Sequence, residues 1–347
     1  MAVHFSKDRM EEVKESYELW WEGKLDRPLV HAIIHNAYGE SEVFSPLQAF
    51  DFSMSPEAVI DHMDAELSCQ EFLGDGYPLV HMEEFGAGVI AAFCGAKYEY
   101  NKVTVWFSPE KEVELADIHP VYDPNHPLAQ RIKAIYKAGM EHWDGQVLMS
   151  MIDLGGVVDI LASLYGTQNL LFALIDEPEQ VERLVREIQA VWYAVYEDMA
   201  QVLKPQKYFA DWTCLMSATP SYTPQCDFSV MISNPMFRRF VLDTLKVDAK
   251  RLSHIMYHLD GEGQLNHLDD ILAIEGLDAV QWVPVHQSAQ EQIDTCRKIV
   301  ESGKLVQLAG SHKVFLEIVS QLHGSPYFRW LSGYQKRDMA LEVLKAR

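Results

Sequence analysis

Eight short apolar runs, separated by stretches with helical periodicity and helix caps, constrain the fold of this chain more than any other feature. They occupy residues 29–35, 78–82, 147–151, 208–212, 254–258, 279–283, 305–308 and 327–331. Several are too short for helices and are bounded by Gly, Pro or Asp, as strands buried on both faces are. The intervening helices carry explicit start and stop signals. Ser55-Pro56-Glu57 supplies a cap, a proline for the first turn and an acidic first turn ahead of a helix over 58–72. Asp176-Glu177-Pro178-Glu179 opens a long helix to about residue 203, and Ser233-Asn234-Pro235 opens another through 252. Gly303 and Gly324 each close a helix before a strand.

Strands alternating with helices eight times over predict an α/β fold, a (β/α)8 barrel of the TIM type. The segment Tyr98 to Phe107 reads as a small hairpin inserted in the N-terminal half. An open doubly wound sheet is the alternative, but it usually shows a glycine-rich phosphate turn after its first strand. Here the first run leads into His35-Asn36-Ala37-Tyr38-Gly39, with neither GxGxxG nor GxxxxGK[ST] anywhere. No low-complexity linker divides the chain, so its 347 residues are expected to form one domain, 1–347.

Charge narrows the partners. With 51 Asp and Glu against 29 Lys and Arg, the net charge is −22, which repels a phosphate backbone and an anionic membrane surface. Nucleic acid and membranes are therefore not expected partners. No uncharged apolar run approaches the roughly 18 residues of a membrane span, and residues 1–14 lack the apolar centre of a signal peptide. Five scattered cysteines without a CxxC suit reduced thiols, and a cytoplasmic location is the expectation. The oligomeric state stays open.

In a barrel the site gathers at the C-terminal ends of the strands. Those ends carry His35, His81 with Glu83 and Glu84, Asp153, Asp211 with Trp212, His258 with Asp260, Gln281 with Trp282, and Ser332. Short loops after strands are polar in any case, so position alone assigns only about half of them to a pocket. His258 and Asp260 are the sharpest pair, because residues two apart on a strand share a face. The spacing suits two metal ligands, or a carboxylate beside an imidazole; the plainer reading is a mutual hydrogen bond that caps the next helix. His267, one turn on, reads as a surface or capping residue. Asp153 is followed by Gly155 and Gly156, which allow close approach to its carboxylate, and Asp159 reads as a structural partner. Cys226 reads either as a thiolate ligand or as a buried apolar residue, burial being the commoner fate. Trp212 and Trp282 serve equally as walls for a flat ligand or as core filling. No GxSxG elbow and no HExxH occur, so serine and zinc-protease hydrolysis have no local support.

The chain resembles the uroporphyrinogen decarboxylase superfamily, which also contains zinc-dependent corrinoid methyltransferases. The resemblance is diffuse and spans most of the chain. Its strongest segments are Thr104-Val105-Trp106-Phe107, Asp153-Leu154-Gly155-Gly156 with Asp159, Cys226-Asp227-Phe228-Ser229 with Ser233-Asn234-Pro235-Met236-Phe237, Tyr257-His258-Leu259-Asp260-Gly261 with His267-Leu268-Asp269, and Gln281-Trp282-Val283-Pro284. The departures matter for function. The decarboxylase branch grips porphyrinogen carboxylates with an arginine-rich N-terminal motif, whereas this chain has His31-Ala32-Ile33-Ile34-His35-Asn36 there. The methyltransferase branch has a His-x-Cys pair and a late cysteine. Here the pair is His258-x-Asp260, and no cysteine stands near Ser332-Gly333.

The resemblance therefore implies a methyltransferase-like enzyme that moves a methyl group from a small methylated donor to a corrinoid on a partner protein. Zinc or another divalent metal would be held by His258 and Asp260 with Cys226 or Glu84. In that reading Asp260, His258 and Asp153 are catalytic, while Trp212, Trp282, Asp211, His81 and His35 bind the substrate. A decarboxylase or lyase acting on a small carboxylate, and a non-catalytic ligand-binding barrel, are the alternatives.

Overall fold

The computed structural model describes residues 3–322, 326–333 and 336–345. Its strands, in chain order, are β1 (Leu29–His35), β2 (Glu71–Gly74), β3 (Leu79–Val80), β4 (Lys97–Tyr100), β5 (Val105–Ser108), β6 (Leu148–Met149) and β7 (Phe209–Ala210). They continue with β8 (Met216–Ser217), β9 (Ser221–Tyr222), β10 (His254–Asp260), β11 (Ala279–Val283), β12 (Leu305–Leu308) and β13 (Tyr327–Gly333). Each of the eight apolar runs holds a strand. The expected hairpin is β4–β5, with Tyr98 opposite Phe107.

One sheet joins seven strands in the order β2-β1-β13-β12-β11-β10-β9, every neighbouring pair parallel except β1–β2. β3 and β6 form a separate parallel pair, and the Met151 amide donates to the Ala210 carbonyl (2.7 Å) to bring β6 alongside β7. The architecture is α/β with alternating helices and strands, barrel-like in its strand order. The closed eight-stranded ladder is not continuous among the described residues, for two local reasons. Residues 69–72 do not extend the capped helix, which ends at Ser68; Glu71–Gly74 instead pairs antiparallel with the outer edge of β1. The run 208–212 yields only two strand residues, because the chain then turns back on itself as β8. Asp211 Oδ1 accepts from the Thr213 amide (2.9 Å) in that turn, and Cys214 sits at φ 63°.

The remaining long helices follow their signals. Pro178–Leu203 is one helix, whereas the 233–252 segment breaks at Val241 into Asn234–Phe240 and Leu242–Arg251. Gly303 closes Ala289–Glu301 at φ +82°; Gly324 lies outside the described residues. No single described helix is long and apolar enough to cross a membrane; Val157–Tyr165 with Thr167–Asp176 passes only as a pair bent by 106°.

Two apolar clusters hold the fold together. The larger lies between the sheets and the surrounding helices. The smaller joins the N-terminal helix Lys7–Trp21, through Met10, Val13, Tyr17, Trp20 and Trp21, to Leu29, Leu79, Leu148, Ala210, Met256, Ala279 and Tyr327. Those partners stand at the N-terminal ends or first turns of their strands, so the helix plugs that end of the sheet assembly. Tyr17 and Trp20 are fully buried there, each contributing on the order of 1.5–3 kcal/mol by leaving water. The helix leaves the strands' C-terminal ends uncovered.

Candidate metal centre

Strand register brings the polar groups together. His258 on β10 is level with Gln281 on β11, which is level with Gln307 on β12. Side chains alternate along a strand, so these three share one face, and Leu259, Trp282 and Leu308 share the other. Asp260, two residues beyond His258, stands on the His258 side. One ligand atom each from Asp227, His258 and Asp260 lies within 4.8 Å of the others. One imidazole and two carboxylates form an oxygen-rich donor set suited to a borderline or hard divalent ion. Two carboxylates also match a divalent charge.

Each ligand has its own support. His258 Nδ1 is hydrogen-bonded to Gln281 Oε1, Gln281 Nε2 donates to Gln307 Oε1, and Gln307 Nε2 donates to the Thr213 carbonyl (3.3 Å). Trp212 packs edge-on against the His258 ring, centroids 4.9 Å apart. Asp227 opens the short helix Asp227–Met231, and Asp159 fixes that start: its two oxygens accept from the amides of Asp227 (3.1 Å) and Phe228 (2.7 Å). Burial, with Asp227's charge beside it, pushes the Asp159 carboxyl up to about 7. Asp159 is thus the structural partner its position suggested.

Asp153 follows β6 and is buried. Its Oδ1 accepts from the Gly155 amide (2.9 Å) and the Tyr222 hydroxyl (3.4 Å). Desolvation raises its carboxyl to about 7, the Gly155 amide opposes this, and the charges of Glu83, Asp227 and Asp211 add to the rise. The two glycines serve a different approach from the expected one. A Cβ on Gly155, at φ +74°, would stand 2.4 Å from Gly88 Cα, and one on Gly156 would stand 2.2 Å from the Gln225 carbonyl oxygen. They let three loop backbones meet.

The other expected site residues divide. His35, His81, Glu83 and Glu84 line one cavity of about 170 Å3 with apolar walls that include Ile33 and Phe44. Burial, then Glu83 and Glu66, pushes Glu84 up to about 7. Asp211 turns into its own loop, bonded to Thr213. Trp282 is fully buried in the larger apolar cluster, on the sheet face opposite His258, so it is core and not a pocket wall. Cys226 is buried as well, and desolvation with the charges of Asp159 and Asp227 holds its thiol well above the ordinary value. The ligand atom that converges with those of His258 and Asp260 belongs to its neighbour Asp227. His267 stands at the N-cap position of the helix Leu268–Leu272 but is buried, not on the surface; its ring stacks on Phe237 at 4.3 Å and bonds to the Ser229 carbonyl (3.0 Å) instead of capping the helix. The Ser332 side chain lies outside the described residues. A concavity of about 800 Å3 beside Tyr196, Tyr208, Phe209 and Pro220 contains none of these residues.

No protein-family model and no curated protein matches this chain. Among solved structures, a methyltransferase from Methanosarcina mazei aligns over 96% of this chain and 97% of its own, with a TM-score of 0.66 and 11% identity. The two share a fold. In that fold, four contributors to the present site escaped sequence reasoning: Asp227, Gln307, Thr213 and Glu262. Glu262 Oε1 accepts from the amides of Val285 (2.9 Å), His286 (2.8 Å) and Gln287 (3.1 Å), pinning the loop after β11. Gln281 and Gln307 did leave a signal, as lone amides at matching places in the apolar runs Ala279–Val283 and Leu305–Leu308.

Proposed function

We propose that this protein is a metal-assisted methyltransferase that takes a methyl group from a small methylated donor and passes it to a corrinoid on a partner protein. The observation that carries this reading is the convergence of Asp227, His258 and Asp260 at the C-terminal ends of the strands. The full-length likeness in fold to a methyltransferase supports it. Asp227, His258 and Asp260 would hold zinc or another divalent ion, which when bound supplies a Lewis acid for the donor's ether or amine heteroatom. Removing a methyl group from such an atom needs an electrophile or an acid, because the heteroatom departs with the bonding pair.

The chain's own groups take the remaining roles. Asp153, with Oδ1 occupied by Gly155 and Tyr222, holds its proton at Oδ2 and gives it to the departing heteroatom. Trp212 shields one side of His258. His35 and His81 orient the donor from the cavity they share with Glu83 and Glu84, and Asp211 fixes the loop behind Trp212. The test is to incubate the metal-loaded protein with methyl ethers and methylamines and a reduced corrinoid protein, following the corrinoid's visible spectrum. Methylation of the corrinoid by at least one donor is expected. No methylation across a broad panel overturns the reading. So does turnover of a small carboxylate by metal-stripped protein, which favours a lyase.

A further inference from the structure

We infer that Gln281 and Gln307 are positioning residues for this site, locking His258 as the Nδ1–H tautomer so that Nε2 is its only ligand atom; the inference rests on the metal reading above. The hydrogen-bond chain takes its direction from its far end. A backbone carbonyl only accepts, so the Gln307 amide must present Nε2–H to the Thr213 oxygen. Its Oε1 then faces Gln281, which must present Nε2–H in turn. Gln281 is left with Oε1 toward His258 Nδ1, and that nitrogen must carry a proton. Reversing any amide sets two acceptors or two donors face to face in a buried place, which costs a full desolvation penalty. The direction therefore follows from one carbonyl, without any assumption about which amide atom is which.

The anchor is itself fixed, since the Tyr327 hydroxyl donates to the same Thr213 oxygen (3.2 Å) and to the Cys214 oxygen (3.3 Å). Both glutamines are buried, at 3% and 0% exposure, in strands that are otherwise apolar. Amides that merely tied strands together could end on any backbone group. These end on the ring nitrogen of His258. Free histidine in water prefers the other tautomer, with its lone pair on Nδ1, so a ligand that binds through Nε2 gains from a partner that holds the proton on Nδ1.

The test uses metal-free full-length protein with 15N-labelled histidine. His258 is assigned by the signal that vanishes in His258→Gln. The wild type should show a protonated Nδ1 and an unprotonated Nε2. In Gln281→Leu the Nε2–H form should appear, and zinc affinity should fall by about 10- to 100-fold. If the leucine variant fails to fold, Gln307→Leu reads the same chain, since a freed Gln281 amide can flip and release the tautomer. A wild-type His258 protonated on Nε2 overturns the inference, as does an unchanged tautomer and affinity in a folded leucine variant. Wild-type protein with the Nδ1–H form but no zinc binding overturns the metal reading and the positioning role with it, while the tautomer lock stands.

Discussion

The two halves of the sheet assembly build their share of the rim by different means. From β10 to β13 the strands run four to seven residues, in parallel register, and functional atoms are placed by strand position: His258, Gln281 and Gln307 at one level, Asp260 above. From β3 to β7 the strands shrink to two residues in β3, β6 and β7. The polar groups there sit in the segments that follow the strands, where Asp153 and Asp211 accept from the amides of Gly155 and Thr213, and Gly155 and Gly88 pack backbone to backbone. Register gives precision to a ligand set. Loops give a place for a buried carboxyl, Asp153, whose desolvation raises it to about 7.

Paired substitutions test that division. The largest loss of stability should come from Trp282→Ala, about 3–5 kcal/mol by chemical denaturation, because Trp282 is sheet-half core. Trp212 is half-buried against His258 and the edge of the larger cluster, so Trp212→Ala should cost less stability than Trp282→Ala and weaken zinc binding; similar losses of stability from both would break the distinction drawn between the two tryptophans. Next, His258→Ala should lower zinc affinity beyond the roughly 100-fold typical of losing a ligand's supporting partner, measured by competition with a chelator, while the melting temperature of the metal-free protein barely moves. In the loop half, Gly155→Ala should cost about 1–3 kcal/mol, through the Gly88 clash and the positive φ.

The last prediction concerns pH and Asp153. Its folded value of about 7 lies above an ordinary carboxyl's 3.8, so the folded state keeps this proton longer than the unfolded one. The group therefore stabilises fully below about pH 4, and that contribution is lost as pH rises through about 7. Asp153→Asn should flatten the decline in stability over that window, by at most about 1.4 kcal/mol per pH step. Asp159, raised for the same reason, leaves part of the slope in place. An Asn variant with an unaltered slope would show that Asp153 ionises normally.

The same division explains what the sequence made legible. Strands β1, β11 and β12 match their apolar runs end to end, because burial on both faces leaves a continuous signal. The His258–Asp260 pairing was readable too, since alternation along a strand is a local rule. Trp282 stayed open between pocket wall and core because the face it takes depends on register with β10, which no local pattern states. Asp227 was passed over for Cys226 because the choice between adjacent residues is made by Asp159, which holds the Asp227 and Phe228 amides from a distant helix. The short strand β9, between Pro220 and Pro224, gave no apolar run to find.

The central claim is an oxygen- and nitrogen-liganded metal centre on Asp227, His258 and Asp260. X-ray absorption at the zinc edge, on protein loaded with zinc and dialysed extensively, tests it most directly. The account predicts one ion per chain, one imidazole nitrogen, oxygen ligands otherwise, and loss of the ion in His258→Ala. A sulfur scatterer would put Cys226 back in the ligand set and contradict it, and so would a dialysed protein that retains no ion.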